Sequence, residues 1–189
     1  MAKDNKTLHV ILGLIAHEEM SGYDIKKRID NSLSFFWDAG FGQIYPSLRM
    51  LEKDGLVTKR TESPEKRPMR IVYTITESGR QELEKWLQTP VEKESVRYEI
   101  LLRLFFGSHL SAEKNMQRIG EFQSRNEVFY KTMLQFKREL GEILPQSEDH
   151  IYFYLTVLFG EKVYKAYLDW AEEAVRLLGQ YSGDDQHIP

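Results

Sequence analysis

The chain has 189 residues, 41% of them hydrophobic and 29% charged, with no cysteine and a formal net charge of −3. That is an ordinary globular composition, long enough for one domain or two small ones, and it excludes disulfides, thiol catalysis and cysteine zinc sites. Met1-Ala2-Lys3-Asp4-Asn5-Lys6 leads into no apolar signal core, and no apolar run approaches the ~18 residues of a membrane span, so a cytoplasmic protein is expected.

Leu8, Ile11, Leu12 and Ile15 recur at helical spacing and predict a first helix. Ser21 reads as the N-cap of a second, with Asp24 three residues on as an acidic variant of the capping box; Ile25 and Ile29 carry that helix to about Asn31. Asp38-Ala39-Gly40 is turn-like. A third helix starts near Phe41 or Gly42, puts Ile44, Leu48 and Leu51 on one face, and stops at Asp54-Gly55. On this reading Pro46 falls in or just after the first turn, where N–H groups lack an intrahelical partner and a proline loses little. Leu56-Val57 opens a polar strand to Glu62, and Ser63-Pro64-Glu65-Lys66-Arg67-Pro68 is a charged turn. Ile71, Tyr73 and Ile75 then alternate as in a half-buried strand, which predicts a hairpin. Thr76 caps a further helix with Leu83, Trp86 and Leu87 on one face, ended by Thr89-Pro90.

The remainder reads as long helices. Ile100, Leu101, Leu104 and Phe105 form one apolar face. Ser111 caps a helix in which Ala112, Asn115, Ile119, Phe122, Asn126, Phe129, Met133, Phe136 and Leu140 step by three and four, a seam of about four heptads. Asn126 in that seam either fixes register or faces solvent. Leu144-Pro145-Gln146-Ser147 breaks the pattern, and a last helix runs from about Ile151 to Leu178. The expected domains are 1–90, 91–179 and a flexible tail, 180–189.

Helix, helix, helix and a two-stranded wing is the winged helix-turn-helix order, so the fold class is mainly α, with an all-α C-terminal domain. With Ile44, Leu48 and Leu51 inward, the third helix turns Gln43, Arg49, Met50 and Lys53 outward, with Tyr45 on the flank. Gln and Arg can read base edges, and Arg, Lys and a Tyr hydroxyl can hold phosphates. Lys66, Arg67 and Arg70 stand at or beside the hairpin turn. Ser21, Gly22 and Tyr23 begin the second helix, whose free N–H groups suit a phosphate. Ser47 is counted in the same DNA-facing set. Residues 1–90 hold 14 Lys/Arg against 13 Asp/Glu, and residues 41–72 hold seven against four. A pI near 6.0 argues against promiscuous polyanion binding, so placement of charge, not its total, carries this reading. A solvated basic face is the plainer alternative for each element alone.

Nothing points to catalysis or a cofactor. There is no Walker loop, no Gly-x-Gly-x-x-Gly and no His-x-x-x-His, and the five histidines are scattered and read as solvated loop residues.

Leu12-Gly13-Leu14, Ser21-Gly22-Tyr23-Asp24-Ile25, Gln43-Ile44-Tyr45-Pro46-Ser47-Leu48, Leu51-Glu52-Lys53-Asp54-Gly55-Leu56 and Tyr73-Thr74-Ile75-Thr76-Glu77-Ser78-Gly79 resemble the PadR family of bacterial transcriptional regulators. The long helical second half resembles its larger branch, of phenolic-acid repressors and virulence activators. The resemblance implies a homodimer, paired through the helical domain, that binds a pseudo-palindromic operator, in the repressors with release by a planar aromatic effector. It assigns DNA contacts to Tyr45, Lys66 and Arg67.

The spacing itself agrees with a dimer. Val157, Gly160, Tyr164, Tyr167, Ala171, Ala174 and Leu178 form a seam on the last helix, and Trp170 lies beside it with Val163, Val175 and Leu177. Part of this packs within the chain, and a second copy is expected to cover the rest. Trp37, Phe153 and Tyr154 are candidate effector contacts, with core packing as the plainer alternative. The competing function is a winged helix used for protein docking, without sequence-specific DNA binding.

Overall fold

In the first unit, residues 1–93, helix α1 (Lys6–His17) turns Ile11, Leu12 and Ile15 inward, the face that its spacing predicts. The structure, a computed structural model, describes residues 6–63, 69–92 and 96–184. A short strand β1 (Met20–Ser21) leads into α2 (Gly22–Arg28). Ser21 completes a capping box: its Oγ accepts from the Asp24 N–H at 3.2 Å, and the Asp24 carboxylate accepts from the Ser21 N–H at 3.1 Å. α2 ends before the expected Asn31, because Ile29–Leu33 widen into a π-helical turn.

Helix α3 (Phe41–Lys53) buries Ile44, Ser47, Leu48 and Leu51. Pro46 lies just after its first turn, as expected, but at a position where an intrahelical hydrogen bond is lost. The Ile44 N–H already bonds the Gly40 carbonyl at 3.0 Å, so proline removes a bond that the Gly42 carbonyl would have accepted. Gly42 is exposed, which leaves that carbonyl open to water. The helix ends in a Schellman turn. Gly55 takes φ 71°, the Leu56 N–H bonds the Leu51 carbonyl at 2.9 Å and the Gly55 N–H bonds that of Glu52 at 3.1 Å.

Strands β2 (Val57–Glu62) and β3 (Arg70–Ile75) pair antiparallel, from Val57 opposite Ile75 to Glu62 opposite Arg70. β1 adds to the other edge of β3, with Met20 opposite Tyr73, in the order β1-β3-β2. This third strand was not expected, since two residues show no periodicity. α4 (Glu77–Leu87) is capped by Thr76, whose Oγ1 accepts the Gly79 N–H at 3.0 Å. Trp86 stacks on His9 with centroids 4.7 Å apart, so this histidine is packed rather than a solvated loop residue. Ile11, Leu12, Ile25, Ile29, Ile44 and Leu48 are wholly buried and close the core.

The second unit, residues 94–189, is α5 (Glu99–Phe105), α6 (Ala112–Ile143) and α7 (Glu148–Asp184). Ser111 caps α6, and a turn at Leu144–Gln146 folds α7 back on it. Phe129 stacks on Tyr164 at 5.3 Å, and Phe122 meets Tyr167 and Trp170, each at 5.6 Å. Lys137 Nζ bonds Glu161 Oε2 at 2.7 Å. That hydrogen bond outweighs burial and holds the Glu161 carboxyl below its usual range. Asn126 is buried and donates to the Phe122 carbonyl of its own helix at 2.7 Å. α7 continues through Gly179, so residues 180–184 of the expected tail are helical. Among the described residues no helix is long and apolar enough to cross a membrane.

Candidate nucleic-acid interface

The 3.6-residue period of α3 decides the site. Turning Ile44, Leu48 and Leu51 into the core leaves Gln43, Tyr45, Arg49, Met50 and Lys53 exposed on the opposite side. The Gln43 Oε1 accepts from the Gly40 N–H at 3.2 Å. This fixes the side chain at the helix start and leaves its NH₂ free to donate. The Tyr45 ring stacks on Phe41, with centroids 5.8 Å apart. It also covers the start of α2: a Cβ on Gly22 would lie 2.6 Å from Tyr45 Cε1. β1, α2 and α3 thus meet at one point, and Tyr45 is set by its neighbours.

The cations around this face fall into two groups. Among the described residues Arg49 and Lys53 enter no ion pair. The others are held. Lys59 bonds Glu52 at 3.0 Å, which raises the pKa of the lysine. Arg60 reaches Glu19 and Glu62. Arg70 bonds Glu62 through Nε at 2.9 Å and Asp24 at 3.3 Å. The Arg70 hydrogen bond holds Glu62 below the usual carboxylate range. For Asp24, burial opposes the charge, but hydrogen bonds from Ser21 and the charges of Arg70 and Lys27 outweigh it. Exposed pairs of this type exchange readily for another anion.

Two sequence assignments change. Ser47, 1% exposed, belongs to the core, because it follows Ile44 by three positions and precedes Leu48. Ser21 is buried and bound up with Asp24, whose carboxylate stands at the helix start where a phosphate was expected. Arg70 keeps its place beside the turn, engaged by two carboxylates. Tyr23 is exposed at the surface. Lys66 and Arg67 lie outside the described residues.

The expected dimer seam packs largely within this chain. Val157, Gly160 and Ala171 are buried within this chain. Tyr164, Tyr167 and Trp170 face aromatic partners on α6 of the same chain. Ala174 and Leu178 are half-buried. The seam joins α7 to α6, since two amphipathic helices joined by a tight turn satisfy each other first. What stays exposed lies elsewhere: Leu101, Leu102, Phe105 and Phe106 on and after α5, and Tyr152, Leu155 and Phe159 on α7. Phe105 is 81% exposed. α5 is fastened by the Tyr98 and Tyr167 hydroxyls, 2.8 Å apart; burial, then this bond, raises the Tyr167 pKa. The α5 face was legible as an apolar stripe, but its lack of cover was not.

Of the candidate effector residues, Trp37 is half-buried in the first unit, its indole N–H without a partner among the described residues. Phe153 and Tyr154 stand on α7 in the second unit, with Phe153 near the His150 ring, 6.3 Å between centroids. The His150 Nδ1–H donates to the Ile143 carbonyl, 2.7 Å away.

Known proteins share this arrangement. Residues 11–85 match the Transcriptional regulator PadR-like family, and residues 96–179 match the Virulence activator alpha C-term family. The chain is 31% identical over 175 residues to the negative transcriptional regulator PadR of Bacillus subtilis (strain 168), covering 90% of this chain and 96% of that protein. The crystal structure of Bacillus subtilis PadR with operator DNA superposes with a TM-score of 0.78 at 30% identity, over 90% of this chain and 98% of the other. That of the same protein with p-coumaric acid gives 0.73 at 28% identity, over 95% and 99%. The Vibrio cholerae virulence activator AphA gives 0.72 at 27% identity, over 93% and 99%. Matched by these family models and at 31% identity over nearly its whole length, this chain belongs to the PadR-like family of transcriptional regulators.

Proposed function

We propose that this protein binds a pseudo-palindromic operator as a homodimer and represses transcription, with release by a small aromatic effector. The observation that carries this is the α3 face, where Gln43, Arg49 and Lys53 stand exposed around a positioned Tyr45. Lys59, Arg60 and Arg70 flank it and exchange their carboxylates for phosphates on binding. Lys66 and Arg67, which follow β2 in the sequence, are proposed to add contacts to the DNA backbone. A second copy covers the apolar surface of α5 and α7, and the two-fold axis of that pair matches the two-fold of the operator. The residues proposed to meet an effector are Trp37 within the first unit and, separately, Phe153 and Tyr154 within the second. Repression and an effector are supported by the likeness to Bacillus subtilis PadR, seen both with operator DNA and with p-coumaric acid.

The exposed Tyr23 and Phe36 beside α2 favour one other reading, a winged helix that docks on protein. Salt separates the two. Fluorescence anisotropy is measured on DNA from upstream of the protein's own gene and on scrambled DNA. Specific binding that weakens steeply with salt, as counterion release requires, supports the regulator. Equal, salt-insensitive binding to both supports docking. Phenolic acids are then added: release of DNA supports the effector, and no release removes that part.

A further inference from the structure

Met50 stands on the exposed side of α3, 47% exposed, between Arg49 and Lys53. It has no strong hydrogen-bonding group, so it neither holds a phosphate nor reads a donor or acceptor. It is also not needed in the first unit's core, which Ile44, Leu48 and Leu51 fill from the opposite side of the same helix. An unbranched thioether is a flexible apolar surface that fits itself to what it meets. In the major groove the one apolar group on a base edge is the 5-methyl of thymine. Resting on the DNA-binding reading above, we infer that Met50 is a specificity-determining residue that packs on a thymine methyl, so that each half-site contains an A·T pair recognised by its methyl group.

The placement supports this occupant over others. Arg49 and Lys53, beside Met50 on the same exposed side, are the cations of α3 without carboxylate partners among the described residues, so a helix drawn toward phosphate carries Met50 into the groove with them. Gln43 precedes Met50 by seven residues, two turns earlier on the same flank, about 10 Å along the axis. It is suited to an adenine edge. Pro46 is the other apolar side chain on this side, but its ring is closed onto the backbone and reaches less far.

Removing the 5-methyl while keeping every hydrogen bond isolates the contact, and deoxyuridine does that. A random pool of duplexes is selected with the full-length protein, and the winning duplex is remade with deoxyuridine at each thymidine in turn. Replacing one thymidine per half-site should weaken wild-type binding about fourfold per half-site, the worth of one buried methyl. Met50→Ala should bind the thymidine duplex with the same loss and should not distinguish it from the deoxyuridine duplex. Wild-type binding unchanged by every replacement overturns the inference. So does a Met50→Ala protein that keeps the full dependence on thymidine, which would move the contact to Pro46. Because Met50 is exposed, Met50→Leu serves as a folded control that retains the preference. A pool that enriches no sequence sinks the DNA-binding reading itself, and that outcome is distinct from the others.

Discussion

The two units solve the burial of apolar residues differently. The first closes its core within one chain. Three helices and a three-stranded sheet meet over Ile11, Leu12, Ile25, Ile29, Ile44 and Leu48, all at zero exposure. The second spends most of its length on one helical hairpin and leaves α5 almost uncovered. A pair of long helices has two apolar sides and a single neighbour in the chain, so one side stays open. The lesson is that the first unit closes its core within the chain, whereas the helical unit keeps large apolar residues of α5 and α7 at its surface. The same contrast holds for polar groups. In the first unit they are displayed on α3. In the second the Lys137–Glu161 pair is tucked between α6 and α7.

The largest test breaks the closed core. Leu48→Ala removes a fully buried side chain and should destabilise the first unit by about 2–5 kcal/mol in urea unfolding followed by circular dichroism. A loss under about 1 kcal/mol would show that the core can collapse around the gap and is not tightly closed. Next comes the open surface. Leu102→Ser with Phe105→Ser should weaken self-association about thirtyfold, as for a hot spot of ~2 kcal/mol, without altering the melting of the first unit. Sedimentation velocity that still shows an unchanged dimer would place the partner elsewhere.

A smaller effect sharpens the role of Tyr45. Gly22→Ala puts a Cβ where the Tyr45 ring now lies. The ring can swing toward solvent, so the fold should persist while operator affinity falls about fivefold, roughly one hydrogen bond. Unchanged affinity would make the Gly22–Tyr45 contact purely structural. The smallest effect is on pH. The Glu161 carboxyl lies below its unfolded value of 4.5 in the folded chain. Its contribution is therefore complete above about pH 4.5 and is lost as pH falls through the lower folded value. Glu161→Gln should narrow the stability difference between neutral and acid solution; an equally steep acid limb in both proteins would rule this pair out as a contributor.

Much of the first unit was legible because its signals are local. Ser21 with Asp24, Asp54-Gly55 and Thr76 are caps and stops whose hydrogen bonds span three to five residues. The outward residues of α3 followed from its period alone. Ser47 was misplaced because a serine in an amphipathic helix says little about its own side. β1 was missed because pairing with β3, more than fifty positions away, makes it a strand. The α7 seam packs on α6 of its own chain more fully than its spacing indicated, since a spacing of three and four asks for a helix without saying whose.

The sequence by itself determined the order of elements, the caps that start and stop them and the composition of the face that α3 presents, because backbone hydrogen bonding and helical period act over a few residues. Only the tertiary structure decided which cations on that face are free and which are held by Asp24, Glu52 and Glu62. It alone decided that Tyr45 rests on Gly22 and that α5, rather than the α7 seam, is left open. Those outcomes depend on which distant side chains arrive at the same place, and distance in space is not written in local spacing.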